Sequence, residues 1–72
     1  MPTDKAINFF KSLSASEKRE LAEKTGIELT SLRNIFYNRL TPSIVTTLRI
    51  EKATKRKLTR YEIAPEIDWT LL

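Results

Sequence analysis

The stretch Leu21-Ala22-Glu23-Lys24-Thr25-Gly26-Ile27 decides the fold of this chain. It predicts a helix that ends just before Gly26, a sharp turn, and a following helix that places Leu32 and Ile35 on its inner side. Two helices that meet steeply through a short turn need a small residue where they cross and a turn residue that tolerates positive φ. Ala22 meets the first need, and Gly26, the only glycine, meets the second.

The outer side of the following helix carries residues that can hydrogen-bond: Thr30, Ser31, Arg33, Asn34 and Tyr37. The whole chain is basic, with a net charge of +4. A polar helix face on a small basic domain indicates a DNA ligand.

Length and composition limit the other classes of function. The 72 residues form one domain with one core, and the chain has no cysteine and no histidine. It therefore lacks a disulfide framework, zinc-binding side chains, a Ser-His or Cys-His nucleophile pair and a glycine-rich phosphate loop, so we expect no catalytic residue, cofactor or metal. No apolar run approaches the ~18 residues of a membrane span, and the first residues lack the layout of a secretory signal. We expect a cytoplasmic, nucleoid-associated protein.

Local signals predict a small all-α bundle of four to five helices. Thr3 caps a helix over residues 4–13, and the capping box from Ser14 to Glu17 starts another over residues 15–25. Further helices are predicted over residues 29–37 and 42–54, followed by one or two turns before Pro65. Tyr61 and Ile63 alternate with charged residues, so an extended strand is the alternative for the last dozen residues.

Three helix starts show the spacing of a hydrophobic staple, in which an apolar residue before the cap packs on one five positions later. The pairs are Ile27 with Leu32, Leu40 with Val45, and Leu58 with Ile63. The middle pair predicts a cap at Thr41 and Pro42 at the first helical position, where its missing N–H is no loss.

The large apolar residues are interpreted as core and not as a ligand pocket, because a domain of this size needs all of them: Phe9, Phe10, Ile35, Phe36 and Leu48. The chain then ends in a second apolar group: Ile67, Trp69, Leu71 and Leu72. Two alternatives stay open for this tail: it folds back over the first and fourth helices, or it forms a dimer contact. In either case its acidic residues Glu62, Glu66 and Asp68 are expected to pair with Arg56 or Arg60.

Several motifs between residues 26 and 69 match one family pattern. They are the turn glycine, the polar helix, the loop Asn38-Arg39-Leu40-Thr41-Pro42, the amphipathic stretch of residues 48–54 and the closing segment of residues 58–69. In these motifs the chain resembles the Cro-like phage regulators and the YdaS-type antitoxin family of helix-turn-helix proteins. The resemblance implies a lambda-repressor-like fold and a transcriptional repressor that binds operator DNA, usually as a dimer. Lys55 and Arg56 stand where a Gly-Gly pair is common in that family, so the turn there is expected to be either rebuilt or mildly strained.

Docking of such a motif places the N-terminal part of its second helix in the major groove. Arg33 is then expected to bind guanine, and Asn34 to bind adenine. Glu28 is expected to accept from a cytosine amino group, and Leu29 or the Thr30 methyl group to contact thymine. The predicted base-reading residues are Glu28, Leu29, Thr30, Ser31, Arg33 and Asn34.

Phosphate contacts form a separate predicted class, because they position a protein without reading sequence. Ser16 and Lys18 begin the first helix of the motif, where a helix dipole favours an anion. Arg39 and Thr41 are expected at the start of the fourth helix. Tyr37 either donates its hydroxyl to a phosphate or covers the core edge. The basic cluster over residues 52–60 either contacts DNA directly or attracts it at long range.

The sequence therefore predicts a Cro-like repressor that is not an enzyme. Its expected partners are double-stranded DNA and, at least on DNA, a second copy of itself, with no membrane and no small-molecule ligand. The alternative is an antitoxin or antirepressor that acts mainly through protein contacts of its C-terminal tail.

Overall fold

A computed structural model describes residues 1–71, whose regular elements are all helical. Its helices are α1 (Asp4–Ser12), α2 (Ala15–Thr25), α3 (Leu29–Phe36), α4 (Ile44–Ala53) and the short α5 (Arg60–Ile63), followed by a 3-10 turn at Trp69–Leu71. The described residues contain no strand, so the all-α prediction is confirmed. The extended alternative for the last dozen residues is wrong, because Tyr61 and Ile63 both lie in α5.

None of the helices in the described part of the chain combines the length and the hydrophobicity that a bilayer crossing requires.

Side chains next to the helix starts determine where the first helices begin. The Thr3 hydroxyl accepts from the amide of Ala6, which caps α1 as predicted. Ser14 and Glu17 form the predicted capping box of α2: each side chain accepts from the other residue's amide, at 3.1 and 2.9 Å. The backbone amides at a helix start lack partners within the helix, and these side chains supply them.

The start of α4 differs from the prediction. Ser43 is its cap, and the Ser43 hydroxyl accepts from the amide three residues later at 3.1 Å. Thr41 is therefore not the cap, and Pro42 is buried before the helix and not in its first turn. The predicted staple of Leu40 on Val45 is wrong, since these side chains are 47% and 59% exposed. The caps at Glu28 and Thr59, between the other two apolar pairs, are confirmed.

The core is built around the ring of Phe10. This ring stacks on Phe36 with 4.5 Å between the ring centroids, which joins α1 to α3. The other large, fully buried apolar side chains come from α3, α4 and the α5 region: Leu32, Ile35, Ile50, Leu58 and Ile63. Phe9 and Leu48, predicted for the core, are only half-buried.

Two buried threonines finish the longest helices in the same way. The Thr25 hydroxyl donates to the Leu21 carbonyl at 2.9 Å, while its oxygen accepts from the Ile27 amide beyond the turn at 3.3 Å. At the end of α4 the Thr54 hydroxyl donates to the Ile50 carbonyl at 3.0 Å and its oxygen accepts from the amide of residue 58 at 3.4 Å. Each hydroxyl thus connects the last turn of its helix to the following segment.

Left-handed backbone follows each of these threonines. Gly26 has φ 70°, as the sequence predicted. Lys55 and Arg56 have φ 55° and 64°, so the expected strain in that turn is confirmed in its backbone angles. Glycine adopts such angles freely, whereas a residue with a Cβ atom does so at a cost.

The acidic residues near the C-terminus pair differently from the prediction. Glu51, not a tail residue, binds Arg60, with 2.9 Å between Oε1 and Nη2. Glu62 pairs with Lys5 and Glu66 with the amino terminus, each at 2.7 Å. The tail acids therefore face the N-terminal segment, because the amide of residue 3 bonds to the carbonyl of residue 62 and brings the two ends of the chain together.

The tail folds onto α5 and not over α1 and α4. The indole N–H of Trp69 donates to the carbonyl of Ala64 at 3.0 Å, and the Arg60 guanidinium lies 5.7 Å from the centroid of the indole ring. Asp68 accepts from Thr70 and closes the last turn. Leu72 lies outside the described residues.

Removal of the strained conformation in the turn after α4 should increase the stability of the protein. We expect Arg56→Gly to raise the free energy of unfolding by about 0.5–1 kcal/mol, since it removes a left-handed side-chain conformation at some cost in unfolded-state entropy. Gly26→Ala should lower it by about 1 kcal/mol. The nearest atom to an added Cβ at Gly26 is 4.0 Å away, so no clash contributes. Urea unfolding measures the change in the free energy of unfolding for both variants. If both variants were stabilised, or both destabilised, the assignment of strain to Arg56 but not to Gly26 would be wrong.

The buried Glu51 carboxylate makes stability depend on pH. Hydrogen bonding from Arg60 holds the pKa of Glu51 below its ordinary value of 4.5, although burial opposes the shift. The contribution of this pair is therefore fully present above pH 4.5 and is lost as the pH falls through the lowered pKa. Because the Arg60 side chain is 35% exposed, we expect Glu51→Gln to cost only about 1–2 kcal/mol at pH 7.

Urea unfolding of the wild type and the Glu51→Gln variant between pH 3 and 7 measures this effect. The difference between the two proteins should shrink as the pH falls. A difference that stays constant over this range would contradict the assignment.

Candidate nucleic-acid interface

One side of α3 presents a row of polar side chains to solvent. Thr30, Arg33, Asn34 and Tyr37 are spaced i, i+3, i+4 and i+7, which places them on one side of a helix and of the residue that ends it. Asn34 is half-buried and the other three are exposed. The opposite side of α3 is fixed in the core by three residues: Leu32, Ile35 and Phe36. We refer to Thr30, Arg33, Asn34 and Tyr37 as the α3 polar row.

The side chains of the α3 polar row make no hydrogen bond or ion pair within residues 1–71. Three hydroxyl groups near helix ends behave differently. Hydroxyls of Thr25, Ser43 and Thr54 bond to backbone groups. No buried side-chain nitrogen or oxygen in the described part of the chain lacks a partner. The fold thus satisfies its internal polar groups and leaves this exterior row available.

The remaining predicted base-reading residues have different surroundings. Glu28 caps α3 without a side-chain hydrogen bond and is exposed. Leu29 is half-buried and packs against the core, so only part of its side chain faces outward. Ser31 is half-buried at the margin of the α3 polar row.

Two predicted phosphate-binding residues, Lys18 near the start of α2 and Tyr37 at the end of α3, both contact the ring of Phe10. Lys18 Nζ lies 5.0 Å from the centroid of the Phe10 ring. The Tyr37 ring meets the same ring edge-on, with 6.1 Å between centroids and 41% of Tyr37 exposed. Tyr37 therefore covers the core edge and also reaches solvent. Ser16 is exposed at the second position of α2.

The amino end of α2 already holds a negative charge. Hydrogen bonds from the Ser14 amide and then the Ser14 hydroxyl hold the pKa of Glu17 below its ordinary value. A carboxylate thus occupies the position at which the helix dipole favours an anion. The predicted phosphate contact of Ser16 and Lys18 therefore depends on their own side chains and not on a free helix end.

The other predicted phosphate residues lie in the loop between α3 and α4. Asn38 has φ 59°, and the amides of Arg39 and Leu40 both donate to the carbonyl of Asn34, at 2.7 and 3.1 Å. Arg39 and Thr41 are exposed in this loop. Their predicted placement at the start of α4 is wrong, because α4 begins only at residue 44.

Sequence reasoning missed a basic cleft between α2 and α4. A cavity of about 450 Å³ is lined by Lys24 and Thr25 from α2 and by Arg49, Lys52, Ala53 and Lys55 from the α4 side. We refer to this cavity as the α2–α4 cleft. The cluster predicted over residues 52–60 does not act as a unit, since Arg60 turns to Glu51 and Lys57 lines a different cavity. The i, i+3 spacing of Arg49 and Lys52 was the available signal in the sequence.

The tail surface is the other exposed feature. Leu71 is 80% exposed and Tyr61 is 59% exposed, while Ile67 and Trp69 are half-buried. Tyr61, Ile67 and Trp69 line a shallow concavity of about 430 Å³ together with neighbouring residues, and Leu71 lies outside its lining. Among residues 1–71 no group of three or more His, Cys, Asp or Glu residues is arranged to hold a metal ion.

No family model, curated protein or solved structure matches this chain. The function of these surfaces must therefore be inferred from their own chemistry and placement.

Proposed function

We propose that this protein is a sequence-specific, DNA-binding transcriptional regulator of the Cro-like type. In this proposal α2 and α3 form a helix-turn-helix, and α3 enters the major groove. The observation that supports it best is the α3 polar row: four polar side chains without a hydrogen-bond or ion-pair partner among residues 1–71 lie together on one side of a helix whose other side is fixed in the core. An excess of basic residues gives the net charge of +4 that favours a polyanion.

The dimensions of α3 suit the proposed groove. Its 8 residues span about 12 Å at ~1.5 Å per residue. The major groove of B-DNA is about 12 Å wide and admits one helix. The core residues Leu32 and Phe36 hold the inner side of α3, so the polar row can approach base edges without exposing the core.

Base reading is assigned mainly to Arg33 and Asn34. A guanidinium offers two parallel donors to guanine O6 and N7, and a side-chain amide pairs with adenine N6 and N7. Thr30, in the first turn of α3, offers a methyl group and a hydroxyl to the base edges. Glu28 and Ser31 border these three and extend the proposed contact.

Phosphate contacts are assigned to both margins of α3. Lys18 and Tyr37 each contact the Phe10 ring, and Ser16 lies two residues before Lys18 on α2. Arg39 and Thr41 are exposed in the loop before α4. Such contacts fix the position of a protein on the duplex and leave sequence choice to the base-reading side chains.

We propose that the protein binds DNA as a dimer. Two copies related by a two-fold axis would place their α3 helices about 34 Å apart and read half-sites one helical turn apart. Exposed apolar side chains are available for a contact between copies at Tyr61 and Leu71 in the tail and at Leu40, Ile44 and Val45 before and within α4. Occupation of a promoter by this dimer would block transcription.

The same tail surface favours a second candidate function, a protein-interaction module of the antitoxin or antirepressor kind. Large side chains as exposed as Leu71 and Tyr61, next to the half-buried Trp69, are typical of a contact surface. This candidate assigns the activity to the tail and gives the α3 polar row no role.

The two candidates predict different results for one double variant. Wild-type protein should enrich a recurring sequence from a random pool of DNA duplexes. Arg33→Ala with Asn34→Ala should lose that enrichment and bind the wild-type sequence at least tenfold more weakly, since each bidentate pair contributes about 1–3 kcal/mol of discrimination. The free energy of unfolding in urea should be unchanged within about 0.5 kcal/mol, because these surface side chains have no internal partners.

A matched control tests whether the effect belongs to α3. Arg19→Ala with Asn8→Ala removes the same two residue types from exposed positions on α2 and α1, and should retain the enriched sequence and the affinity. If the α3 variant selects and binds DNA as the wild type does, the proposal is wrong. Loss of activity on Tyr61→Ser with Leu71→Ser alone would then favour the tail.

A further inference from the structure

The α2–α4 cleft concentrates positive charge in a concave surface away from the α3 polar row. Lys24, Arg49, Lys52 and Lys55 all line it and all are exposed. Lys24 also binds Glu20 on the surface at 2.9 Å. No carboxylate within the described residues lies within ion-pair distance of the other three. The cleft therefore holds several cations with no internal counter-charge.

Keeping these cations together has a cost to the folded protein. Like charges around one cavity repel each other. Lys55 also has a left-handed φ of 55°, which a glycine would adopt without strain. Strain and repulsion that coincide at one surface indicate a functional role for that surface.

The cleft borders the turn from which α3 begins. The closest atom to an added Cβ at Gly26 is Nη1 of Arg49, at 4.0 Å. Helix α3 starts three residues after Gly26, at Leu29. An anion held by Arg49 would therefore lie close to the amino end of the helix that we propose enters DNA.

The lining of the cleft favours phosphate over a protein partner. Apart from the four basic residues it contains only Thr25 and Ala53, with no aromatic or large aliphatic side chain. Protein interfaces depend on buried aromatic and aliphatic anchors, which this cleft does not offer. Arginine and lysine side chains are the usual ligands of phosphate oxygens.

We propose that the α2–α4 cleft binds phosphate groups of the DNA backbone beside the segment that α3 reads, and adds affinity that does not depend on sequence. This inference rests on the proposed function, because it takes duplex DNA as the ligand. Arg49 supplies paired N–H donors to a phosphate, and Lys52 and Lys55 act as point charges.

The test combines a cleft variant with a charge-matched control. Lys52→Gln with Lys55→Gln removes two charges from the cleft. Lys11→Gln with Arg19→Gln removes two charges from exposed positions on α1 and α2, away from the cleft lining. Affinity is measured between about 50 and 200 mM salt for two duplexes, the sequence enriched by the wild type and a scrambled version, since counterion release makes affinity fall with salt.

We expect the cleft variant to weaken binding to both duplexes by the same factor. The slope of log affinity against log salt should become shallower by about 2, because each lost phosphate contact removes about 0.9. The control should keep the wild-type slope. Lys55→Gly, which removes one charge together with the strain, should reduce the slope by about 1 in a protein that unfolds at higher urea.

Several outcomes would overturn the inference. A cleft variant with the wild-type slope, or with a loss confined to the enriched sequence, would show that the cleft holds no backbone phosphate. Saturable binding of inorganic phosphate that the cleft variant loses, while its salt slopes with both duplexes stay at the wild-type value, would assign the cleft to the free ion instead.

The measurements distinguish an error in the proposed function from an error in the assignment of the cleft. If the wild type binds both duplexes equally while the cleft variant still loses slope, base reading by α3 is wrong and the cleft assignment stands. If the wild type binds no duplex, both are wrong.

Discussion

The way α2 ends is the constraint on which the rest of the structure depends. The Thr25 hydroxyl donates to the carbonyl of Leu21, and its oxygen accepts from the amide of Ile27. It thereby connects the last turn of α2 to the segment after the turn. Gly26 adopts the left-handed angle that reverses the chain. This turn sets where α3 begins, and burial of Leu32, Ile35 and Phe36 then fixes the side of α3 that carries the polar row toward solvent.

The same few side chains stabilise the core and position the candidate interface. Phe10 stacks on Phe36 inside the domain, and its ring also contacts Lys18 and Tyr37 at the surface. A domain of this size buries only about 60% of the surface of its unfolded chain, so it has little stability to spare. Stability and recognition are therefore linked through Phe10, and substitutions there would disturb both.

Local chemistry predicted most helix starts, and long-range contacts explain what it missed. Ser14 and Glu17 are neighbours in sequence, so their capping box was readable directly. Thr41 and Ser43 are both suitable caps two residues apart, and only the burial of Pro42 between them favours the second. In the α5 region, Tyr61 and Ile63 alternate with charged residues over only a few positions. A pattern this short fits a capped helix as well as a strand.

Contacts between distant residues carried no such local signal. The pairing of Glu51 with Arg60 depends on the turn between α4 and α5, and the α2–α4 cleft joins Lys24 to residues some 25 positions later. The α3 polar row could be identified from helical spacing alone, but its lack of internal partners required the packed structure.

NMR mapping of the protein on titration with the duplex enriched by the wild type tests directly whether α3 contacts DNA. We expect the largest shifts in residues 28–37, including the side-chain amide of Asn34 and the Nε–H of Arg33. Shifts confined to residues 61–71, with residues 28–37 unchanged, would contradict this expectation.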